Sequence, residues 1–555
     1  MARRLLNGAI CLVVLMGLTG IAEDQPGRAD SLDGGGSSDR SNASSGQVAE
    51  GDAPPPSPCE VEPTRTWPAC VATVTVPPFN DPVFSDNDLY NDWWAWAIEA
   101  PAAWARETGN ADVLIAVVDD GAMPNHDELV GKIPHQGSWH NTDGTFIEED
   151  FFSDAYFGHG TPIAAIIAGV ADNGAGSVGV CPDCSLMPMQ IRYTGDYSTS
   201  TGSILWGLIY SMMADPKPRV INLSIGDGDY DAALISKFLS PDTRATAART
   251  LLSERADYIK NYFTTSGDWD LFNISFDDIL TVSLNENILV VVAAGNQAVP
   301  GDLLSICAHA ATLCVGNVAT RYDGTIAPSP DSNYGFSVQV SAPGTYIWAA
   351  DTSDAGYGWH NGTSVATPIV SGLAGLLVAA HPDLTAVDIK QIIIASAVEL
   401  DQQYDGAVRM YAGGRAVADE VAAWRRAFLR LLGKDETLLL DGNGLRALID
   451  IVPYEQNDVW QRSQLQAGED AADRVTCARD VYVTQEDFLQ AVDDDTCAKA
   501  VGPLINARRA LDLAAAGSWQ ARFASFSAAD LAAAAALDPA VLARLADEIL
   551  VSLGQ

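Results

Sequence analysis

Continuous apolar runs, rather than alternating ones, dominate the middle of the chain. They fall at 113–118, 220–223, 288–294, 313–318 and 338–340, and each reads as a strand buried on both faces. Between them, helical spacing appears at 161–171, 202–213 and 365–380, and an amphipathic helix over 93–108 is interrupted by Pro101. This alternation predicts an α/β fold, a mainly parallel twisted sheet covered by helices on both faces. Catalytic groups in such folds sit where strands end and loops leave the sheet, so the polar motifs just after the runs are the ones to read for chemistry.

The two ends of the chain have a different texture. Arg3 and Arg4 precede an apolar stretch over 5–21, and the small residues Gly20 and Ala22 follow the pattern of a leader cleavage site. Residues 1–22 are therefore expected to be a signal peptide, and the protein to be secreted or periplasmic, with no membrane association once the leader is removed. Residues 23–79 form a flexible acidic tether rich in Gly, Ser and Pro, too polar to build a compact inhibitory propeptide. Residues 517–555 read as a C-terminal helical tail, two short Ala- and Leu-rich helices divided near Pro539.

Composition narrows the function classes. Against 72 acidic residues stand 32 Lys and Arg, a formal charge of -40, which excludes a phosphate-backbone binder and with it nucleic acid as a partner. Lys is scarce beside Arg, the pattern of an acidic coat that stays soluble in salt. Of nine cysteines, Cys11 lies in the leader, and the others fall into neighbouring pairs: Cys59 with Cys70, Cys181 with Cys184, Cys307 with Cys314, and Cys477 with Cys497. An exported protein would form disulfides there, although sequence does not fix the connectivity. Cys181 and Cys184 also match a redox spacing, but they open a strand rather than a helix.

Four motifs carry candidate chemistry. Asp119, Asp120 and Gly121 end the first apolar run. His159 stands between Gly158 and Gly160 at the start of a helix rich in small residues. Ala293, Ala294 and Gly295 lead from a buried strand to Asn296, whose amide can donate to a transition-state oxygen. The segment Asn361-Gly362-Thr363-Ser364-Val365-Ala366-Thr367-Pro368 opens a helix apolar nearly all round, where free N–H groups and the dipole favour a developing oxyanion beside Ser364. Asp, His, Asn and Ser in this order, each in its own frame, resemble the subtilisin-like serine proteases. Supporting lines are Asn222-Leu223-Ser224-Ile225-Gly226, Gly179-Val180-Cys181-Pro182, Ser332-Asn333-Tyr334-Gly335 and Ser341-Ala342-Pro343-Gly344.

The resemblance implies a three-layer subtilisin-like fold over residues 80–516 and a serine endopeptidase acting on protein or peptide substrates as a monomer. Ser364 would be the nucleophile, His159 the general base and acid, Asp119 its orienting carboxylate, and Asn296 an oxyanion donor. Ser224, Ile225 and Gly226 would pair with the substrate backbone, and Ala293, Ala294 and Gly295 would wall the specificity pocket. Asp120 stands where the family usually has Ser or Thr, as in the kexin-like branch that prefers basic residues. With Asp227, Asp229 and Asp231 it raises a preference for basic side chains as an alternative to broad apolar selection.

No cofactor is implied. No HExxH, paired metal-type CxxC or GxxxxGK[ST] motif occurs, and the histidines other than His159 show no metal spacing. The residues after Asp227 are not an EF-hand, since Phe238 takes the place of its last acidic ligand. Structural calcium, common in the family, would involve Glu128 and the loop Asp172-Asn173-Gly174. The excess length between His159 and Ser364 is placed in an insert at 227–285, and a second insert at 401–500 precedes a closing segment at 504–511. A dedicated processing protease and an inactive binding protein on the same fold are the alternatives.

Overall fold

The computed structural model describes residues 79–85, 89–134, 137–139, 146–147, 158–191, 201–225, 276–296, 301, 306–320, 326–329, 331–352, 356–398, 412–452 and 502–552. The leader, the tether up to residue 78, Gly226, the acidic residues at 227, 229 and 231, and Cys59, Cys70, Cys477 and Cys497 lie outside them.

The strands of the central sheet are β1 (Leu114–Asp119), β2 (Gly137–Trp139), β3 (Phe146–Ile147), β4 (Ser185–Gln190), β5 (Val220–Leu223), β6 (Leu289–Ala293), β7 (Thr312–Thr320), β8 (Ile326–Pro328) and β9 (Val340–Pro343). Their order is β3-β2-β4-β1-β5-β6-β7-β8, with β9 also on β7. Every pairing is parallel except those of β3 with β2 and β8 with β7. After β4 the chain passes to β5 on the opposite side of β1, so the order reverses at β1 and the loops there diverge. Strands β1, β5, β6 and β7 are buried throughout, as their unbroken apolar runs require.

The helices Gly160–Ala168 and Thr363–Ala380 pack on each other and on the sheet, and Thr201–Met213 and Phe276–Asn285 do the same as a second pair. Thr363–Ala380 reaches β5, β6, β7 and β9. It is long and apolar enough to cross a bilayer, yet 83% of it is buried inside the protein, which makes it the core helix of the fold. The expected helix over 93–108 is two helices, Leu89–Ala97 and Ala100–Trp104. Glu99 between them takes a left-handed φ of 55°, and Pro101 sits in the first turn of the second, where its missing N–H is harmless.

Two differences from the sequence reading have local causes. Strand β4, absent from the apolar runs, contains Pro188, which pairs with Val117 between two parallel neighbours. Strand β9 starts at Val340, not at 338, and continues through Ser341, Ala342 and Pro343 because β7 pairs with it there. A hairpin of β10 (Ile347–Ala350) and β11 (Tyr357–His360) leads into the Ser364 helix. The structure joins Cys181 to Cys184 immediately before β4, and Cys307 to Cys314.

Leu504 bridges Ser341 and Val398, and the helix Ala507–Ala516 follows it, tied back by Arg508 to Glu99 and by Arg106 to Asp512. Farther from the cleft, the helices Ala412–Leu431 and Gly442–Ile451 pack with Pro539–Ser552 and Ala528–Ala535 respectively. Phe428 and Phe526 stack at 5.8 Å between them, and Lys434 Nζ lies 4.8 Å from the Phe526 ring.

Candidate active site

Asp119 ends β1 and is buried at 2% exposure. Its Oδ1 accepts from the Asp120 N–H at 2.8 Å and lies 2.8 Å from His159 Nδ1. An ionised carboxylate can only accept, so Nδ1 carries the proton and Nε2 is left as the basic nitrogen. Asp119 Oδ2 is buried without a hydrogen-bond partner among the described residues.

Asp120 is engaged from behind. Its Oδ2 accepts from the His159 N–H at 3.1 Å and its Oδ1 from the Gly160 N–H at 2.6 Å, so both oxygens hold the start of the helix Gly160–Ala168. Burial, then the neighbouring charge of Asp119, push its carboxyl up to about 6, while His159 and the two amides pull it down. Gly160 fits because a Cβ there would lie 1.9 Å from the Gly121 carbonyl oxygen. The glycine is a condition of bringing His159 against β1.

The other half of the site gathers at the ends of β5 and β6. Asn296 Oδ1 accepts from the Thr363 N–H at 2.8 Å and from the Thr363 hydroxyl at 2.9 Å, and that hydroxyl accepts from the Gly295 N–H at 3.0 Å. With Oδ1 committed, the Asn296 amide nitrogen is the donor available to a ligand. Gly362, at φ 128°, turns the chain into the helix; a Cβ on it would lie 3.1 Å from Asn296 Nδ2 and 3.3 Å from Ser364 Oγ. The absent side chain therefore leaves open one small volume that both groups border. Ser364, in the first turn, has an N–H with no acceptor inside the helix.

Ala293 and Ala294 are buried, and Asn333 holds this corner from behind, its Nδ2 donating to Ala294 O at 2.7 Å and its N–H to Gly295 O at 2.9 Å. Ser224 is buried with its hydroxyl on the Ser364 carbonyl at 2.7 Å, and Ile225 beyond it is half-buried. Asp119 and Asp120 are thus brought to His159, and Asn296, Gly295 and Ser224 to the segment that carries Ser364. Asp120, Gly158, His159, Ile225, Asn296, Asn361 and Ser364 are half-buried among otherwise buried neighbours.

Other buried polar groups lie on the flanking elements. His360, at the end of β11, is buried with Nε2 3.8 Å from Asp351 Oδ2, and burial, opposed by Asp351, pushes it down to about 4. It is a neutral core histidine at neutral pH. Asp81 joins Glu128 and the 172–177 loop: its oxygens accept from the Asp172 and Asn173 N–H groups at 2.9 and 3.2 Å, and Glu128 Oε1 accepts from the Ser177 N–H at 2.8 Å. Glu128 Oε2 is buried without a hydrogen-bond partner among the described residues, and burial pushes that carboxyl up to about 8. No sequence signal linked residue 81 to a loop ninety positions away.

The Subtilase family profile matches residues 110–414. Thermitase of Thermoactinomyces vulgaris is 29% identical over 54% of this chain and 84% of its own length. Halolysin of Haloferax mediterranei is 30% identical over 55% of this chain and 48% of its own. Subtilisin E of Bacillus subtilis is 26% identical over 55% of this chain and 66% of its own. The similarity thus spans just over half of the chain, and less than two thirds of the length of halolysin.

Proposed function

Because the chain belongs to the subtilase family of serine endopeptidases, we propose that it hydrolyses peptide bonds through an acyl-enzyme on Ser364. Nε2 of His159 takes the Ser364 hydroxyl proton as Oγ bonds to the substrate carbonyl carbon, and the C–N bond then breaks as that proton passes to the leaving amine. Water repeats the sequence in reverse roles, releasing the acid and restoring Ser364. Asp119 holds the Nδ1–H tautomer and stabilises the imidazolium. Asn296 Nδ2 and the Ser364 N–H receive the oxyanion.

The observation that supports this most is the pairing of Asn296 Nδ2 and Ser364 Oγ about the space left by Gly362, with the amide oriented through Thr363. The test is labelling of purified protein with a fluorophosphonate beside Ser364→Ala and Asn296→Ala. Labelling of wild type at Ser364, located by mass spectrometry and absent from Ser364→Ala, supports the reading. A folded wild type that does not label returns the protein to the inactive binding alternative.

Broad selection at a pocket walled by Ala293, Ala294 and Gly295 is the specificity reading. Both Asp120 oxygens are committed to the backbone, so a basic preference, and with it a dedicated processing role, rests on the surrounding acidity. Cleavage of a mixed peptide library separates the two: dispersed apolar cuts support the pocket, strictly basic cuts the processing enzyme. Export is read from the leader and checked by amino-terminal sequencing of protein from the culture medium.

Calcium is assigned a structural place only. Among the described residues no three acidic, His or Cys side chains converge on one point, so the oxygens would come from Asp81, Glu128 and loop carbonyls. The buried Glu128 carboxylate, which faces the Tyr357 side chain, is the group that supports it. Chelation should lower the thermal midpoint of Ser364→Ala protein and have no effect on Glu128→Gln.

A further inference from the structure

The helix that carries Ser364 lacks one hydrogen bond by construction. In an α-helix the C=O of residue i accepts the N–H of residue i+4. Four residues after Ser364 stands Pro368, inside Thr363–Ala380, which has no N–H and whose ring crowds the carbonyl of the residue four before it. A buried carbonyl left without a donor is destabilising, because it has given up water for nothing. Here the donor comes from another element: Ser224 Oγ, one residue beyond β5, donates to Ser364 O at 2.7 Å.

The direction of that bond is set by its neighbours. Ser371 Oγ donates to Asn222 Oδ1 at 2.8 Å, and Asn222 Nδ2 donates to Ser224 Oγ at 2.9 Å. The Ser224 proton is then the one that points at the Ser364 carbonyl. Asn222 and Ser371 are fully buried and Ser224 is 3% exposed, so water does not compete. The peptide that follows Ser364 is gripped at both ends, since its N–H, that of Val365, donates to Gly362 O at 3.0 Å.

We propose that Ser224 is a positioning residue for the nucleophile: its hydroxyl replaces the helix bond that Pro368 deletes and fixes the direction in which Ser364 presents Oγ. This rests on Ser364 being the nucleophile. An attacking oxygen must stand about 3–3.5 Å from the carbonyl carbon with its orbital aligned, and an error of about 1 Å lowers the rate by about 100-fold. The Asn222–Ser224–Ser371 chain thus serves geometry rather than substrate contact.

The experiment compares wild type, Ser224→Ala, Pro368→Ala and the double variant for kcat, KM, the rate of fluorophosphonate labelling and the thermal midpoint. Ser224→Ala should lower kcat and labelling by about 10- to 100-fold with KM nearly unchanged. In the double variant the new N–H at position 368 reaches Ser364 O, and most of the lost rate should return relative to Pro368→Ala alone. The proposal is overturned if Ser224→Ala keeps the wild-type kcat, if the loss lies in KM alone, or if the folded double variant is no faster than Ser224→Ala. A folded wild type that fails to label at Ser364 removes the nucleophile assignment, and the proposal with it.

Discussion

The two helices that enter the site are anchored in opposite ways. The His159 helix is held at its start by an anion, Asp120, which accepts from two backbone N–H groups. The Ser364 helix is held by a neutral hydroxyl, Ser224, which donates to a backbone carbonyl. Both anchors stand just beyond parallel strands that pair with each other, β1 and β5. A charged anchor beside a second carboxylate titrates, whereas a hydroxyl in a dry pocket does not. The base side of the site should therefore respond to pH through its support as well as through its imidazole, and the nucleophile side should be indifferent.

The largest effect that tests this contrast is Asp119→Asn, which leaves the shape but removes the charge that fixes the tautomer; kcat should fall by about 10⁴-fold. On the nucleophile side, Asn296→Ala should lower kcat by about 100- to 1000-fold with KM little changed, in steady-state assays on one peptide. The loss in Ser224→Ala should stay constant across pH; a loss confined to acid would erase the contrast.

Asp120→Asn is a smaller effect. Its carboxyl is raised to about 6, so it is charged above that pH and neutral below, and the wild type loses the anionic grip on His159 as pH falls through 6. The acid limb of kcat/KM should be steeper than one proton in wild type and return to a single-proton slope in the variant, with the limb moved toward lower pH because the imidazolium has lost a favourable charge. Identical limbs would remove Asp120 from the pH response.

A third clamp, remote from catalysis, serves as the control. Lys390 Nζ donates to Ala310 O and Thr312 O at 2.8 and 2.6 Å, and burial pushes it down to about 7. Below pH 7 the folded and unfolded chains both carry the charge and the burial penalty is complete. Between 7 and the ordinary value of 10.5 the unfolded chain binds the extra proton, so stability rises with pH. Relative to Lys390→Met, both in Ser364→Ala protein, wild-type stability should gain up to about 1.4 kcal/mol per pH unit there, read from urea midpoints, while kcat in active protein is unmoved. Parallel curves would overturn it.

The parallel strands were legible because burial on both faces leaves an unbroken apolar signature, and the Asp, His, Asn and Ser frames were legible because glycine and strand ends mark where backbone must turn. What escaped was long-range. Asp120 read as a specificity charge, but nothing in a sequence tells that two amides forty residues later will claim its oxygens. Pro368 was visible in its motif, yet the gap it leaves matters only once Ser224 is seen beneath it. Strand β4 escaped because Pro188 argues against a strand and pairing on both sides overrides it, and Asp81 because its partners lie far along the chain.

The helix Thr363–Ala380 lies against β5, β6, β7 and β9 and presents Ser364 at its first turn. It is also the last of these elements to leave the ribosome. Asp119, His159 and Asn296 are made before it, and the helix Gly160–Ala168 already packs on β1 and β4, but β5, β6, β7 and β9 lack the cover of this helix until it docks. Covering those strands and bringing Ser364 to Asn296 and Ser224 are therefore done by one and the same element.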